Sequence, residues 1–255
     1  MRFGVCIGGD AGKIATAKAV GFDYVEAGFS LLTTENTEEF DRYAAELQKN
    51  DIRCESVNCF IPGHLPVVAD TVNEKGLYDY VKKGMENGVK LGVKTVVFGS
   101  GGARRIPEGF PYEKAVRQTL RFLREIAGPL AEENGITVVL EPLSPRDTNF
   151  INTAKEGAVI AAAADHPAVK SLVDLFHMEK VGDTNADILA IGPMIRHAHI
   201  AEPSQRVYPS TPDEFDYKGF VAALESVGCP RCSVEANCRD FETDSRAAAR
   251  LLQSL

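Results

Sequence analysis

Four residues that can bind a metal ion or carry a proton each lie at the end of a short apolar segment. They are Glu141, Asp174, His199 and Glu235, and roughly one strand–helix unit separates each from the next. Three carboxylates and an imidazole together suit a divalent ion such as Mn²⁺, Mg²⁺ or Co²⁺. Without an ion, three carboxylates packed together would repel one another and their pKa values would rise. The sequence therefore predicts a divalent-metal site built from these four residues.

Each of these residues also has an ordinary structural interpretation. A single acid at the end of a strand is more often a helix N-cap or a surface partner, and Asp174 could cap the helix that follows it. His177, in the same segment, could be a loop histidine whose hydrogen bonds are satisfied. The metal-site hypothesis is favoured because four potential ligands rarely end four successive strands by chance.

The segment IRHAHIA contains two of the five histidines in the chain, His197 and His199. Side chains two residues apart in a strand point to the same face, so both are predicted to point inward. His199 is nearer the carboxyl end, level with the other candidate ligands, whereas His197 would lie one layer deeper. We therefore predict that His199 is the ligand and that His197 is a core residue or supports a ligand.

The elements that must position these residues alternate regularly along the chain. Apolar segments predict eight strands, at residues 2–7, 22–28, 52–60, 95–100, 136–142, 171–176, 195–201 and 232–237. Amphipathic segments predict helices at Thr37–Lys49, Leu77–Leu91, Tyr112–Asn134, Thr153–Ala164, Lys218–Val227 and about Thr243–Leu252. This pattern favours one α/β domain over residues 1–255, a (β/α)8 TIM barrel, over a doubly wound sheet. Active sites of such barrels lie at the carboxyl ends of the strands, where the four candidates fall.

Composition limits the partners that we expect. The formal net charge of −8 disfavours nucleic acid and anionic membranes, because phosphate binding needs clustered cations. No apolar run is long enough to cross a bilayer, and IGGDAGK fits no nucleotide-binding motif. The first residues lack the pattern of a secretory signal, and the six scattered cysteines are typical of reduced thiols. We expect a cytoplasmic protein.

Six segments of the chain form an ordered set that is specific for one superfamily. They are VVFGSGGARRIPEGF (96–110), VVLEPL (138–143), NTAKEG (152–157), DLFHM (174–178), HAHIAE (197–202) and SVEAN (233–237). The chain resembles the xylose isomerase-like TIM barrels, the sugar phosphate isomerase/epimerase superfamily, and within it the ketose 3-epimerases of the D-tagatose and D-psicose type. The resemblance implies that Glu141, Asp174, His199 and Glu235 bind the metal and that Glu141 and Glu235 also act as acid and base. It further implies that His177 and Arg206 contact substrate oxygens.

A small sugar substrate and one divalent ion follow from this resemblance, with Mn²⁺ preferred over Mg²⁺, Co²⁺ or Zn²⁺. The expected chemistry is proton abstraction next to a carbonyl group, by two carboxylates on opposite sides of the substrate. Glu26, at the end of the second strand, and His64, in the loop PGHLP, are predicted at the pocket rim, where either could bind sugar hydroxyls. Arg104 and Arg105 could hold a phosphate, but a surface or structural role is preferred. By analogy we expect a homo-oligomer, either a dimer or a tetramer.

Two segments that border the predicted substrate depart from the ketose epimerase pattern. The residues after Glu141 read PLSPRD, where the epimerases have a segment like VLNRFE, and Arg206 is followed by VYPSTPDEF and not by a glycine-containing loop. An aldose–ketose isomerase, a hydroxypyruvate isomerase or an inosose dehydratase is therefore the alternative. An endonuclease for abasic DNA would need more histidine and acid ligands and a basic face. A non-catalytic sugar-binding barrel would not need both Glu141 and Glu235.

Overall fold

Eight parallel strands close into a barrel in the computed structural model, which describes residues 1–255. Each strand pairs with its neighbours in sequence, and β8 pairs with β1. The (β/α)8 TIM barrel and all eight strands predicted from the sequence are therefore confirmed. The strands are β1 (Arg2–Cys6), β2 (Tyr24–Gly28), β3 (Arg53–Asn58), β4 (Thr95–Phe98), β5 (Thr137–Leu140), β6 (Val169–Asp174), β7 (Ile195–Ile200) and β8 (Arg231–Val234).

Twelve α-helices lie between the strands and after the last one. They are α1 (Ile14–Val20), α2 (Ser30–Thr33), α3 (Thr37–Lys49), α4 (Glu74–Leu91), α5 (Gly101–Arg104), α6 (Tyr112–Phe122), α7 (Gly128–Glu133), α8 (Ala154–Ala163), α9 (Leu175–Val181), α10 (Asn185–Ile191), α11 (Tyr217–Ser226) and α12 (Phe241–Gln253). A π-helical turn, Leu123–Ala127, joins α6 to α7, so the two together form the helix predicted over Tyr112–Asn134. None of the helices combines the length and the apolar character that crossing a bilayer requires.

The sixth strand–helix unit differs from the prediction. β6 ends at Asp174 and α9 begins at Leu175, whereas the predicted strand continued to Phe176. Leu175 and Phe176 are both apolar, and a short apolar run does not distinguish a strand from the first turn of a buried helix. A carboxylate oxygen of Asp174 accepts the backbone N–H of Phe176 at 2.8 Å and so caps α9. This cap fixes the Asp174 side chain at the carboxyl end of the barrel.

Strand register brings the candidate ligands to the same level. Asp174 of β6 pairs with His199 of β7, and His199 pairs with Ser233 of β8. Glu141 directly follows the last residue of β5, and Glu235 directly follows the last residue of β8. Because all strands are parallel, these four positions meet at one end of the barrel.

Aromatic side chains fill part of the core outside the barrel. The ring centroids of Phe29 and Phe60 are 4.8 Å apart, and those of Phe60 and Phe98 are 5.9 Å apart, both in edge-to-face contact. Phe60 is fully buried and therefore belongs to the core. The ring of Phe29 also lies against Gly84 of α4, with no room for a side chain between them. Helix α4 therefore packs on the barrel through a glycine.

Replacing Gly84 with alanine should destabilise the protein. Alanine normally stabilises a helix interior by about 0.5–1 kcal/mol relative to glycine. Here its Cβ would overlap the buried ring of Phe29, so we expect a net loss of about 1–3 kcal/mol in the free energy of unfolding, measured by urea denaturation. Gly63→Ala, whose Cβ would meet no atom within 4 Å, is the control. Unchanged stability of the Gly84 variant would contradict this packing role.

Candidate metal and active site

The carboxyl ends of β5 to β8 bring Glu141, Asp174, His199 and Glu235 into one cluster, which we call the ligand cluster. One nitrogen or oxygen atom from each residue lies within 4.8 Å of the corresponding atoms of the other three. Glu141, Asp174 and His199 are buried, and Glu235 is partly exposed. The structure thus brings the four predicted ligands together at the predicted end of the barrel.

His199 lies at the centre of the ligand cluster. Its Nδ1 is 3.1 Å from Oε1 of Glu141 and 3.3 Å from Oε2 of Glu235. Its Nε2 is 2.9 Å from Oε1 of Glu26, on the opposite side of the ring. Nδ1 of the imidazole therefore faces the ligand cluster, while Nε2 contacts Glu26 on the other side of the ring.

Arg206 reaches the ligand cluster from the loop after β7. Its Nη2 lies 2.6 Å from Oε2 of Glu235 and 3.5 Å from Oδ2 of Asp174. The guanidinium also stacks on the ring of Phe176, with 4.9 Å between Cζ and the ring centroid. Arg206 has a left-handed backbone, with φ of 55°, a conformation that costs energy in a non-glycine residue and is often found at functional sites. The predicted contact residue therefore lies where it can bind both acids and a ligand.

Two buried polar atoms beside the cluster lack a hydrogen-bond partner, and they test whether these residues fit a metal ion. They are Oδ2 of Asp174 and Nε2 of His177, which lie 3.6 Å apart. A buried acceptor without a donor costs about 1–3 kcal/mol, and more when it is charged. A divalent cation among the four side chains would satisfy the Asp174 oxygen. The donor set and this unpaired oxygen therefore fit such an ion.

His177 faces the pocket with a defined nitrogen. Its Nδ1 accepts the backbone N–H of Ser144 at 3.1 Å. A neutral imidazole that accepts at Nδ1 carries its proton on Nε2. The unpaired Nε2 of His177 is therefore a donor, and the residue lines the same pocket as Glu141 and Glu235.

The local charges shift the pKa values of Glu141 and Glu235 in opposite directions. Burial raises the pKa of Glu141, and the charges of Glu235 and Asp174 add to this while His199 opposes it. Burial acts the same way on Glu235, but the cationic His199 and Arg206 outweigh it and lower the pKa of Glu235 to about 2. Burial alone would lower the pKa of His199, but Glu235 and Glu26 raise it well above its usual value. Neighbouring carboxyl groups with separated pKa values are typical of acid–base pairs.

The predicted rim position of Glu26 is wrong. Its side chain is fully buried, and its Oε2 lies 2.9 Å from Nε2 of His197 and accepts the Ser233 hydroxyl at 2.7 Å. The reason is that β2 continues for two residues beyond Glu26, to Gly28, so this carboxylate lies one layer below the strand end. Glu26 therefore supports His199 and does not face the pocket. His197 lies in the deeper layer that was predicted for it.

Of the other predicted residues, His64 lies near the pocket rim, and Arg104 and Arg105 do not line the pocket. His64 is exposed next to Gly63, which lines the pocket, but His64 itself does not line it. Arg104 is fully buried and donates to the backbone oxygen of Phe98 at 3.0 Å. Arg105 donates to the backbone oxygen of Asp147 at 2.7 Å. Both arginines hold backbone segments, in agreement with the structural role preferred for them.

Sequence reasoning missed two residues that contact the candidate acids. Nδ2 of Asn58 donates to Oε1 of Glu235 at 3.0 Å. Gly99 leaves the space that the Glu141 carboxylate occupies, because a Cβ at this position would overlap Oε2 of Glu141. Asn58 ends β3 and Gly99 directly follows β4, but their contacts are with residues far along the chain, so the position at a strand end alone did not reveal them.

The pocket beside the ligand cluster has a volume of about 440 Å³, within the usual range for small-molecule sites. Polar and small residues of the loops after β3 and β4 form the opposite wall. They include Cys59, Gly63, Ser100, Gly101 and Gly102. The pocket therefore has acids, Arg206 and His177 on one side and a small-residue wall on the other.

Two proteins share sequence similarity with part of this chain. A protein named "Putative hydroxypyruvate isomerase" from Danio rerio is 31% identical over 127 residues, which cover 45% of this chain and 46% of that protein. A D-psicose 3-epimerase from Agrobacterium fabrum is 28% identical over 134 residues, which cover 50% of this chain and 45% of the epimerase. The chain thus aligns with just under half the length of these relatives.

Structural comparison and a family model extend the likeness to the whole chain. The crystal structure of D-psicose 3-epimerase with D-tagatose from Clostridium cellulolyticum H10 matches with a TM-score of 0.87 at 20% identity, over 100% of this chain and 98% of that one. This match shows a shared fold. The family model described as xylose isomerase-like TIM barrel matches residues 14–255. The chain therefore belongs to the xylose isomerase-like TIM barrel family, as the resemblance in its sequence predicted.

Proposed function

We propose that this protein is a divalent-metal-dependent sugar isomerase or epimerase, and specifically a ketose 3-epimerase. The observation that carries the proposal is the ligand cluster, in which three carboxylates and one imidazole meet beside a pocket of about 440 Å³. The similarity to a D-psicose 3-epimerase supports a ketose as the substrate.

In this proposal Glu141, Asp174, His199 and Glu235 hold one divalent ion, with Mn²⁺ as the first choice because mixed oxygen and imidazole donors suit it. When bound, the ion supplies Lewis-acid polarisation of the substrate's carbonyl group. The unpaired oxygen of Asp174 supports this assignment, since that carboxylate has no hydrogen-bond donor at Oδ2.

Glu141 and Glu235 move the protons. Both line the pocket, and their carboxylates flank Nδ1 of His199. One carboxylate removes the proton from C3 of the ketose, and the electron pair moves toward the neighbouring carbonyl oxygen. The other carboxyl group then gives its proton to the opposite face of C3, which inverts the configuration. Asn58 holds Oε1 of Glu235 and so leaves Oε2 at the cluster.

His177 and Arg206 bind the substrate oxygens. The Nε2–H of His177 is buried and forms no hydrogen bond within the protein, so a substrate oxygen can accept it. Arg206 contributes a fixed positive charge beside Glu235, which stabilises negative charge that develops on the substrate. These two residues orient the substrate between the carboxylates.

Hydroxypyruvate isomerisation is the second candidate function, favoured by the similarity to the Danio rerio protein. The same two carboxylates would then move a proton from C3 to C2 of a three-carbon acid, and Arg206 would bind the substrate carboxylate. The two functions share the ligand cluster and differ in the substrate.

Solvent exchange distinguishes these functions. A panel of ketoses is incubated in D₂O with the protein and Mn²⁺, the Mn²⁺ is removed with a chelating resin, and proton NMR is recorded. We expect deuterium at C3 of at least one ketose, and a loss of roughly 10²- to 10⁴-fold in the rate for Glu141→Gln and Glu235→Gln. Glu133→Gln, at an exposed residue ending α7, should exchange at the wild-type rate.

Other exchange patterns have defined meanings. Exchange at C1 would indicate an aldose–ketose isomerase, and exchange of hydroxypyruvate alone would select the second candidate. An absence of exchange with ketoses, their phosphates, inosose and hydroxypyruvate would contradict the proposed chemistry.

The variant Asp174→Asn tests whether Asp174 is a ligand of the metal ion. Asparagine caps a helix as well as aspartate does, so α9 should keep its cap while the site loses one negative ligand. We expect Mn²⁺ affinity to fall by at least about 10-fold in isothermal titration calorimetry of EDTA-treated protein. Asp216→Asn, the same change at the N-cap of α11, is the matched control and should bind Mn²⁺ as wild type does. Equal affinities of the two variants would exclude Asp174 as a ligand.

Gly99→Ala should reduce turnover without unfolding the barrel. The added Cβ must displace the Glu141 carboxylate, which is the mobile end of a side chain, so melting temperature should change little. A displacement of about 1 Å in a catalytic group can cost roughly 10²-fold in rate, and we expect kcat to fall by about that factor. Gly9→Ala, whose Cβ would meet only a side-chain oxygen of Glu39 at 3.4 Å and which does not line the pocket, is the control. A wild-type kcat in the Gly99 variant would contradict the proposal that Glu141 takes part in the reaction.

A further inference from the structure

A buried hydrogen-bond network lies one layer below the ligand cluster. At its centre is Glu26, which is fully buried and has both carboxylate oxygens engaged. Oε1 contacts Nε2 of His199 at 2.9 Å, and Oε2 contacts Nε2 of His197 at 2.9 Å and the Ser233 hydroxyl at 2.7 Å. The Tyr24 hydroxyl lies 2.9 Å from the same Ser233 oxygen. The network thus runs from β2 through β8 and β7 to a candidate metal ligand.

This layer is unusual for the inside of a TIM barrel, which branched apolar side chains normally fill. Burying a carboxylate is costly even when hydrogen bonds satisfy it, and apolar residues of similar volume are often no less stable. Stability alone therefore gives no reason for a glutamate at position 26. The contact between Glu26 and His199 offers a functional reason.

The contact determines which nitrogen of His199 faces the cluster. An ionised carboxylate can only accept hydrogen bonds, so Nε2 of His199 must carry a proton to bond with Glu26. In the neutral imidazole the free lone pair is then on Nδ1, which faces Glu141 and Glu235. Glu26 thereby fixes both the ring orientation and the nitrogen that is available as a ligand.

We propose that Glu26 is a positioning residue for the metal site: it holds His199 with Nδ1 directed into the ligand cluster, and His197 and Ser233 hold Glu26 in turn. This inference rests on the proposed function, because it takes His199 to be a metal ligand. Carboxylate partners of metal-bound histidines commonly contribute roughly 10- to 100-fold to metal affinity.

Glu26→Gln tests the proposal. A glutamine offers one acceptor oxygen and one NH₂ group, so it cannot accept from both histidines, and His199 loses its fixed orientation. We expect the Mn²⁺ affinity of EDTA-treated protein to fall roughly 10- to 100-fold in isothermal titration calorimetry, and saturating Mn²⁺ to restore most of kcat.

Glu55→Gln is the matched control. Glu55 lies on β3, is almost fully buried, and forms two ion pairs, with Arg2 and Arg231, each at 2.7 Å. It has no contact with His199 or with the ligand cluster, so its loss should lower the melting temperature and leave Mn²⁺ affinity unchanged. A comparison of the two variants separates positioning of a ligand from stabilisation of the barrel.

The outcomes distinguish this proposal from the proposed function. If wild type binds Mn²⁺ and Glu26→Gln binds it equally well, the positioning role is wrong and the metal site stands. If wild type binds none of Mn²⁺, Mg²⁺, Co²⁺ and Zn²⁺, the metal site is wrong and the role of Glu26 falls with it. A parallel loss of affinity in Glu55→Gln would show a general effect of stability and would also overturn the positioning role.

A second variant and a spectroscopic measurement cover the case in which Glu26→Gln does not fold. Glu26→Asp keeps the charge but is one methylene shorter, so it should contact His199 less well and weaken Mn²⁺ binding. In the Zn²⁺-loaded wild type, ¹⁵N NMR should show the proton of His199 on Nε2. A proton on Nδ1 would contradict the inferred orientation directly.

Discussion

Like-charge repulsion among three carboxylates is the constraint on which the site depends. Glu141, Asp174 and Glu235 meet in a largely buried space, where repulsion is stronger than in water. Two cations counter it: His199 lies between Glu141 and Glu235, and Arg206 spans Glu235 and Asp174. One acceptor, Oδ2 of Asp174, still lacks a donor. A divalent cation held by the cluster would relieve this imbalance.

The barrel makes this arrangement possible because its strands are fixed on both sides. A shift of one residue in register would turn a strand's inward side chains outward. The pairing of Asp174 with His199, and of His199 with Ser233, therefore also sets the depth at which Glu26 meets the imidazole. Fold and site are coupled through these few backbone pairs and through α9, whose N-terminus is capped by Asp174.

The features that could be predicted correctly are those that a short stretch of sequence contains. Eight apolar strands, and a polar residue at the end of four of them, are visible in short windows of sequence, and this was enough to identify the barrel and the members of the ligand cluster. The predicted second strand, 22–28, ends where β2 ends and already places Glu26 two residues before that end, so its depth could have been predicted; its contact with His199 could not, because that contact depends on register between strands far apart in sequence. The roles of Asn58 and Gly99 depend on contacts with residues far along the chain, Glu235 and Glu141, which no local pattern contains.

Under the proposed function, the residues that bind the substrate and the residues that move protons occupy different parts of the site. The segment after Glu141, which departs from the ketose epimerase pattern, does not alter the ligand cluster but supplies the Ser144 N–H that orients His177. The divergent loop after β7 is likewise fixed by its backbone: Asn237 donates its N–H to the oxygen of Arg206, and Glu202 donates its N–H to that of Val207. Each departure therefore reaches a residue proposed to bind substrate oxygens and leaves the residues proposed to move protons in place. Under the proposed function, such a division lets one metal-assisted proton transfer serve different hydroxycarbonyl substrates, in keeping with the partial sequence similarity to a D-psicose 3-epimerase and to a protein named "Putative hydroxypyruvate isomerase".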